Sequence, residues 1–221
     1  MQLESQGIII GLKNYGERAL IARVLTQGHG VLAGIVRGGQ VSKNRLMVGQ
    51  LGHASWSARL ESHLGTMKFA PERNLAALLM NDEESLSIMN SAFAMIADFL
   101  PEREAHEKVY FATLKLLAEI PRSSAFGANR RRMTDYLRWE TELLSGIGYS
   151  LDFSKCAGCG CAKNLTHLSP KTGRAVCESC AAPHIEKLFS LPLGLSELEH
   201  FFNMFAVKPL PKAREYLFKP E

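Results

Sequence analysis

The chain has 221 residues, 46% of them hydrophobic and 22% charged, and its formal net charge is +4 at pH 7. This composition is that of an ordinary globular protein, and the length allows one large domain or two small ones. No apolar run approaches the roughly 18 residues of a membrane-spanning helix, so we expect no membrane partner.

The positive charge is concentrated near the N-terminus. Residues 1–70 contain eight Lys and Arg residues against three acidic residues, a surplus of +5. Residues 71–150 have a net charge of −3 and residues 151–221 a net charge of +2. A selectively basic segment is typical of a surface that faces phosphates.

The first seventy residues predict short strands separated by glycine-containing turns. Apolar or alternating stretches occur at 7–15, 19–26, 31–36, 53–61 and 66–70. Ala54 and Trp56 share one side of the fourth stretch, so we expect Trp56 in the core. Residues 40–52 are predicted to form a loop. Five short strands suit a small closed barrel, and the OB-fold is the best match in size.

Beyond Pro71 the apolar residues recur with helical spacing. Helices are predicted over 82–100, 103–120, 128–147 and 196–205, with a last turn or two at 212–218. We therefore predict an α+β chain, in which a five-stranded OB-fold β-barrel at 1–75 is followed by an α-helical domain at 76–221.

Four cysteines form two C-x-x-C pairs, Cys156 with Cys159 and Cys177 with Cys180, separated by 17 residues. This spacing is typical of a four-thiolate zinc site. We therefore predict one structural Zn²⁺ in a zinc finger at about 153–184, inserted in the helical domain. Four thiolates leave no open position for water, so this metal is expected to hold structure and not to perform hydrolysis.

Other interpretations of the cysteines remain open at this point. A disulfide framework is disfavoured because residues 1–5 do not resemble a secretory signal, and a redox dithiol needs only one C-x-x-C pair. Cys161 is an alternative ligand in place of Cys159. His167 and His184 are ligands only if a cysteine is not used.

A run of three arginines, Arg130 to Arg132, opens the third predicted helix. Cations are mildly unfavourable at a helix N-terminus, which favours a role toward a partner, although a solvated helix face explains them equally well. We find no phosphate-binding loop, paired-carboxylate site or nucleophile elbow, and therefore predict that the protein is not an enzyme.

Several segments together resemble the RecO family of DNA repair proteins. The resemblance covers nearly the whole length and is carried by residues 7–10, 15–17, 25–30, 34–39, 56–60, 63–66 and 169–176. It implies an N-terminal OB-fold and a helical domain bearing a zinc finger, in agreement with the organisation read from the residues.

The resemblance also implies a function in homologous recombination and the RecF pathway. A mediator of this family binds single- and double-stranded DNA, anneals complementary strands and works with RecR to load RecA onto DNA coated by SSB, whose C-terminal tail it binds. We expect a cytoplasmic, nucleoid-associated protein that is monomeric on its own. A different hypothesis is an adaptor that docks repair partners without being the main DNA binder, and a third is a zinc hydrolase.

The positions of the family's functional residues can be matched to this sequence more clearly for the metal ligands than for the DNA contacts. The metal ligands carry over to Cys156, Cys159, Cys177 and Cys180, whereas Cys161 has no counterpart in the family pattern. DNA contacts carry over to Arg37 and the loop that follows it. The predicted DNA-binding residues, including further basic positions of the barrel and the third helix, are Arg37, Lys43, Arg45, Arg59, Arg130 and Arg131.

Overall fold

The structure is a computed structural model, and it describes residues 1–38, 45–60, 64–120 and 128–218. The chain forms two compact units. The first comprises residues 1–135 and 211–221, and the second comprises residues 136–210. The division into domains at residue 75 stays a prediction.

Five β-strands at the start of the first unit close into a barrel. They are β1 (Gln2–Tyr15), β2 (Ala19–Thr26), β3 (Gly30–Arg37), β4 (Gln50–Ser57) and β5 (Gly65–Asn74). Their order around the barrel is β1-β2-β3-β5-β4, and β1 pairs with β4 to close it. All neighbours are antiparallel except β3 and β5, which pair in parallel at Gly34–Gly65 and Ile35–Thr66. The predicted five-stranded OB-fold barrel is confirmed.

The barrel interior is filled by apolar side chains that alternate along the strands. Trp56 is fully buried there, as expected from the alternation in its strand. The other buried members of this core are Ile9, Leu20, Ala22, Val24, Leu32, Val36, Leu46, Ala54 and Met67. Exposed side chains of the same strands therefore form the outer face of the barrel.

β4 begins earlier than the alternation predicted, at Gln50 instead of His53. Gln50 is buried, and its side-chain Oε1 accepts a hydrogen bond of 3.0 Å from the Met47 backbone N–H. Gly52 lies beside a register shift between β4 and β5, and a Cβ there would overlap the Ala70 carbonyl oxygen. The glycine therefore permits close pairing here and does not end the strand.

Three long helices follow the barrel at the predicted places: α1 (Glu83–Phe99), α2 (Glu107–Glu119) and α3 (Ala128–Gly146). α2 begins four residues later than predicted because the preceding segment binds the barrel. Arg103 adopts a left-handed backbone conformation, with φ of 64°, and its N–H donates a hydrogen bond of 3.0 Å to the Val31 carbonyl. Glu102 forms an isolated parallel bridge with Val31.

The second unit takes up α3 from Tyr136 onward and adds a small antiparallel sheet of order β7-β6-β8. Its remaining elements are β6 (Leu165–Leu168), β7 (Ala175–Cys177), α4 (Glu178–Ala181), β8 (Phe189–Ser190) and α5 (Leu195–Asn203). The last helix, α6 (Lys212–Glu215), belongs to the first unit and packs against α1. Among the described helices, none has the length and apolar character needed to cross a membrane.

Candidate metal centre and nucleic-acid face

The small sheet of the second unit brings the four predicted metal ligands together. Cys156 and Cys159 lie in a turn before β6, Cys177 is the last residue of β7, and Cys180 lies in α4. Their four Sγ atoms all lie within 4.8 Å of one another, and those of Cys159 and Cys177 are 3.6 Å apart. β7 thus delivers the second pair of cysteines to the turn that carries the first pair.

Backbone hydrogen bonds hold the first cysteine turn in shape. The Gly160 N–H donates to the Cys156 carbonyl at 2.9 Å, and the Cys156 N–H donates to the Cys161 carbonyl at 2.7 Å. Gly160 adopts a φ of 77°, which residues with a Cβ rarely adopt. The Cys177 N–H donates to the Cys156 sulfur at 3.3 Å, linking the second cysteine pair to the first.

Hydrogen bonds move the thiol pKa values in opposite directions. The backbone N–H of Cys177 lowers the pKa of Cys156, and the Ser179 hydroxyl lowers the pKa of Cys177 to about 5. A hydrogen bond that the Cys180 thiol donates to the Cys177 sulfur raises the pKa of Cys180 to about 12. Two of the four sulfurs are therefore favoured as thiolates, the form in which cysteine binds metals.

The donor set fits a divalent soft metal ion. With Zn–S bonds of about 2.3 Å, tetrahedral geometry places sulfurs about 3.8 Å apart. The sulfurs of Cys159 and Cys177, 3.6 Å apart, are close to that value, and all four Sγ atoms lie within 4.8 Å of one another. Two of these cysteines, Cys156 and Cys177, are buried. The four residues can therefore hold a metal ion and would fill its coordination sphere.

None of the alternative ligands belongs to this group of four, although hydrogen bonds to Cys159 and Cys177 raise the pKa of the Cys161 thiol to about 11. Cys161 is exposed, and its thiol donates to the Lys163 carbonyl at 3.5 Å. The Nδ1 atom of His167 is 2.9 Å from the Thr166 hydroxyl, and His184 is exposed. In the described part of the chain, the metal-ligating cluster contains none of these three residues.

Arg37 is a predicted DNA-binding residue that lies in a strand of the barrel. It is the last residue of β3, is exposed and pairs with Ala19 at the start of β2. Arg45 is also exposed and directly precedes the buried Leu46. Lys43 lies outside the described residues.

A groove of about 340 Å³ opens beside Arg37. Its lining comes from the end of β3, the first half of β5 and the segment before β4: Val36, Arg37, Gly38, Leu46, Thr66, Met67, Lys68 and Phe69. Lys68 was missed as a candidate on sequence grounds, although its outward position in the alternation of β5 marks it as a surface cation.

The remaining predicted DNA-binding residues lie on other parts of the first unit. Arg59 is exposed just beyond the end of β4, and Arg130 and Arg131 are exposed on α3. The third arginine of that run, Arg132, instead forms salt bridges of 2.8 Å to Asp82 and 2.9 Å to Glu84. The arginine run therefore combines a structural ion pair with two exposed cations.

The fold and the cysteine cluster define a class of protein: an OB-fold barrel rich in basic residues, followed by helices and by four cysteines that could hold a metal ion. OB-fold barrels commonly bind oligonucleotides through their outer strands and loops. The distribution of charge on this barrel is consistent with that use.

Comparison with known proteins identifies the family. The family model described as "Recombination protein O N terminal" matches residues 1–71, and that described as "Recombination protein O C terminal" matches residues 80–202. The chain is 35% identical to the DNA repair protein RecO of Roseobacter denitrificans, covering 97% of this chain and 95% of the relative. It is 34% identical to that of Cereibacter sphaeroides, covering 99% and 98%, and 39% identical to that of Rhodospirillum centenum, covering 87% and 76%.

The chain belongs to the RecO family. The resemblance to this family, which segments along nearly the whole sequence indicated, is confirmed. Membership supports a role in DNA repair, with DNA and other repair proteins as partners.

Proposed function

We propose that this protein is a recombination mediator of the RecF pathway. It binds single- and double-stranded DNA, anneals complementary strands, and acts with RecR to load RecA onto DNA coated by SSB, whose C-terminal tail it contacts. The proposal follows from membership of the RecO family, and it assigns no catalytic reaction to the protein. For a protein with this function we expect a cytoplasmic location at the nucleoid.

The observation that best supports DNA binding is the basic outer face of the barrel. Residues 1–70 have a surplus of five positive charges, and Arg37 ends β3 exposed beside a groove. Phosphate neutralisation by such a surface is largely independent of sequence and weakens steeply with salt. Two strands whose charges are screened in this way can approach one another, which is what annealing requires.

We propose that the two predicted domains have different roles. The OB-fold at 1–75 makes the principal DNA contacts, through Arg37, Lys43, Arg45 and Arg59. The helical domain at 76–221 adds Arg130 and Arg131 and includes the zinc finger at about 153–184. Zn²⁺ held by the four clustered cysteines has no open ligand position, so its role is to stabilise the local fold.

The proposal is tested by fluorescence anisotropy with two labelled probes, a single-stranded oligo(dT) and an acidic SSB-tail peptide, with metal content measured on the same sample. We expect both probes to bind. The double variant Arg37→Ala with Lys43→Ala should weaken oligo(dT) binding and reduce the salt slope by about 1.4, or 0.7 for each lost phosphate contact.

The charge-preserving variant Arg37→Lys with Lys43→Arg is the matched control and should keep the wild-type salt slope. An oligonucleotide affinity that is unchanged in the alanine variant removes this face from the proposal. Binding of the peptide without binding of DNA or annealing at low salt identifies an adaptor instead, and binding of neither probe contradicts the mediator function.

A further inference from the structure

We propose that the groove between the ends of β3 and β5 binds a nucleotide of single-stranded DNA. In this site Arg37 and Lys68 contact backbone phosphates, and a base stacks on the Phe69 ring. The inference rests on the proposed function, because it presumes that the barrel binds DNA. It adds the position of the strand and two residues, Lys68 and Phe69, that the sequence did not single out.

The groove is a product of the barrel's strand register. β3 and β5 pair only at Gly34–Gly65 and Ile35–Thr66. The residues that follow on each strand, from Val36 and from Met67 onward, line the two sides of the groove. The opening therefore begins where the ladder between these strands ends. Its volume of about 340 Å³ lies in the usual range for ligand sites, roughly 300–1,000 Å³.

The lining of this groove carries an uncompensated positive charge. β3 and β5 run in parallel. If the register of their two residue pairs is continued along both strands, Arg37 lies opposite Lys68, one on each side of the opening. Both side chains are exposed, and among the described residues neither forms a salt bridge. The described lining includes no Asp or Glu. Two unpaired cations facing one opening favour a polyanion.

One side of the groove also offers an aromatic surface. Phe69 is half-buried, packs against the barrel core and lines the groove as well. A ring fixed in this way can support a base without a large loss of side-chain freedom, and stacking on aromatic residues is a recurrent mode of single-strand binding. The buried Leu46 extends the apolar part of the lining.

A second depression lies across β5 and gives the strand a path. It has a volume of about 240 Å³ and shares Thr66 and Lys68 with the first groove. Its other lining residues are Gln2, Glu4, Ser55, Trp56 and Ser57. The Glu4 carboxylate there accepts a hydrogen bond of 3.3 Å from the Ser55 hydroxyl. Lys68 therefore lies between the two depressions. At this position it can contact the phosphate that links two successive nucleotides.

Single-stranded DNA is favoured over other occupants by this combination. Bases in a duplex are stacked on one another, so only an unpaired base can lie against Phe69. An acidic peptide would satisfy the two cations, but it would use the aromatic surface only if one of its own side chains packed there. The test must separate these two occupants.

The test uses the full-length protein and an oligo(dT) probe that carries one 5-iodo-deoxyuridine. Irradiation followed by mass spectrometry should locate the crosslink in the peptide that contains Phe69. Lys68→Ala should lower the salt slope of oligo(dT) binding by about 0.7. Phe69→Leu keeps an apolar side chain in the core and should weaken binding about tenfold, because the stacking surface is lost.

Lys13→Ala is the matched control for the charge change, because Lys13 is an exposed lysine on β1 outside the groove lining. It should leave both the crosslink and the affinity unchanged. Far-UV circular dichroism and thermal unfolding check that each variant remains folded.

The outcomes separate this site from the proposed function. Wild-type binding with crosslinks only outside the groove, or with no effect of Lys68→Ala, overturns the groove and leaves DNA binding intact. An acidic peptide that loses affinity on Lys68→Ala while oligo(dT) does not identifies a peptide site and overturns the nucleotide site. A wild-type protein that does not bind oligo(dT) at low salt overturns both proposals.

Discussion

The indole Nε1 of Trp56 donates a hydrogen bond of 2.8 Å to the carbonyl oxygen of Ala33. Trp56 lies on β4 and Ala33 on β3, two strands that are separated in the barrel by β5. Both residues are buried, so this polar contact lies among the apolar side chains of the barrel core. It fixes the orientation of the largest side chain in the barrel core.

Replacing Trp56 with Phe should lower the free energy of unfolding by about 2–4 kcal/mol. The change removes a hydrogen bond from the buried Ala33 carbonyl and leaves a small cavity, and the two effects add. Urea unfolding followed by far-UV circular dichroism measures the loss. An unfolding midpoint equal to that of the wild type would contradict a stabilising role for this contact.

Gly30→Ala should destabilise the first unit by more than a left-handed backbone alone explains. Gly30 has a φ of 64°, and a Cβ there would overlap the Glu104 carbonyl, which lies in the segment that binds the barrel. Gly16 is a matched control, because its φ is 66° and an added Cβ meets nothing within 4 Å. Both alanine variants incur backbone strain of about 1 kcal/mol, but only Gly30→Ala incurs the steric overlap.

Thermal unfolding of the two variants distinguishes these contributions. We expect a clearly lower Tm for Gly30→Ala than for Gly16→Ala. Equal Tm values would show that residues 102–104 move away from the barrel without cost.

Much of the fold could be predicted from the sequence, because period-2 and period-3.6 patterns report local burial. The alternation around Trp56 and the helical spacing of α1 are examples. Patterns failed where a distant contact decides the structure. Arg103 has ordinary helix propensity, yet its hydrogen bond to Val31 excludes it from α2. Gly52 resembles a loop residue in the sequence because the Ala70 backbone that requires a glycine lies 18 positions away.

Cys156→Ser should abolish stable metal binding, whereas Cys161→Ser should leave it unchanged. Cys156 belongs to the group of four sulfurs and accepts a hydrogen bond from the Cys177 backbone, while Cys161 is exposed outside that group. Serine is a poor ligand for a soft metal ion, so the expected zinc content falls from about one per chain to near zero.

Elemental analysis of the two purified serine variants checks this prediction. Loss of zinc in Cys161→Ser with retention in Cys156→Ser would reverse the ligand assignment. Removal of the metal by a chelator should also destabilise the wild-type cysteine region, because metal binding contributes to folding.

Arg132→Ala should lower the free energy of unfolding by about 1–3 kcal/mol, because it leaves Asp82 and Glu84 without their shared cation. The Arg132 side chain is only 11% exposed, so water replaces these contacts poorly. Arg130→Ala, at an exposed position two residues earlier, should change stability by less than about 0.5 kcal/mol.

The same pair of variants separates structure from DNA contact. We expect Arg130→Ala to reduce the salt dependence of DNA binding and Arg132→Ala to leave it unchanged, as measured by anisotropy titrations at several salt concentrations. The opposite result would place the DNA contact at Arg132.

The candidate sites could be predicted from the sequence to different degrees. Cysteine spacing predicted the cluster that could hold a metal ion, because its four cysteines lie within 25 consecutive residues. The groove could not be predicted, since it depends on the place where β3 and β5 separate. The sequence also shows no difference between Arg130 and Arg132, because the acids that bind Arg132 are about fifty positions away.

The short parallel seam of the barrel has a consequence for its dynamics. β3 and β5 are joined at only two residue pairs, whereas β2 and β3 pair over eight. Local opening is cheapest where few backbone hydrogen bonds must break. The amide protons of β5 near Gly65 and Thr66 should therefore exchange with deuterium earlier than those of β2. The barrel would then open transiently between β3 and β5, and a DNA strand bound across these two strands should slow that exchange.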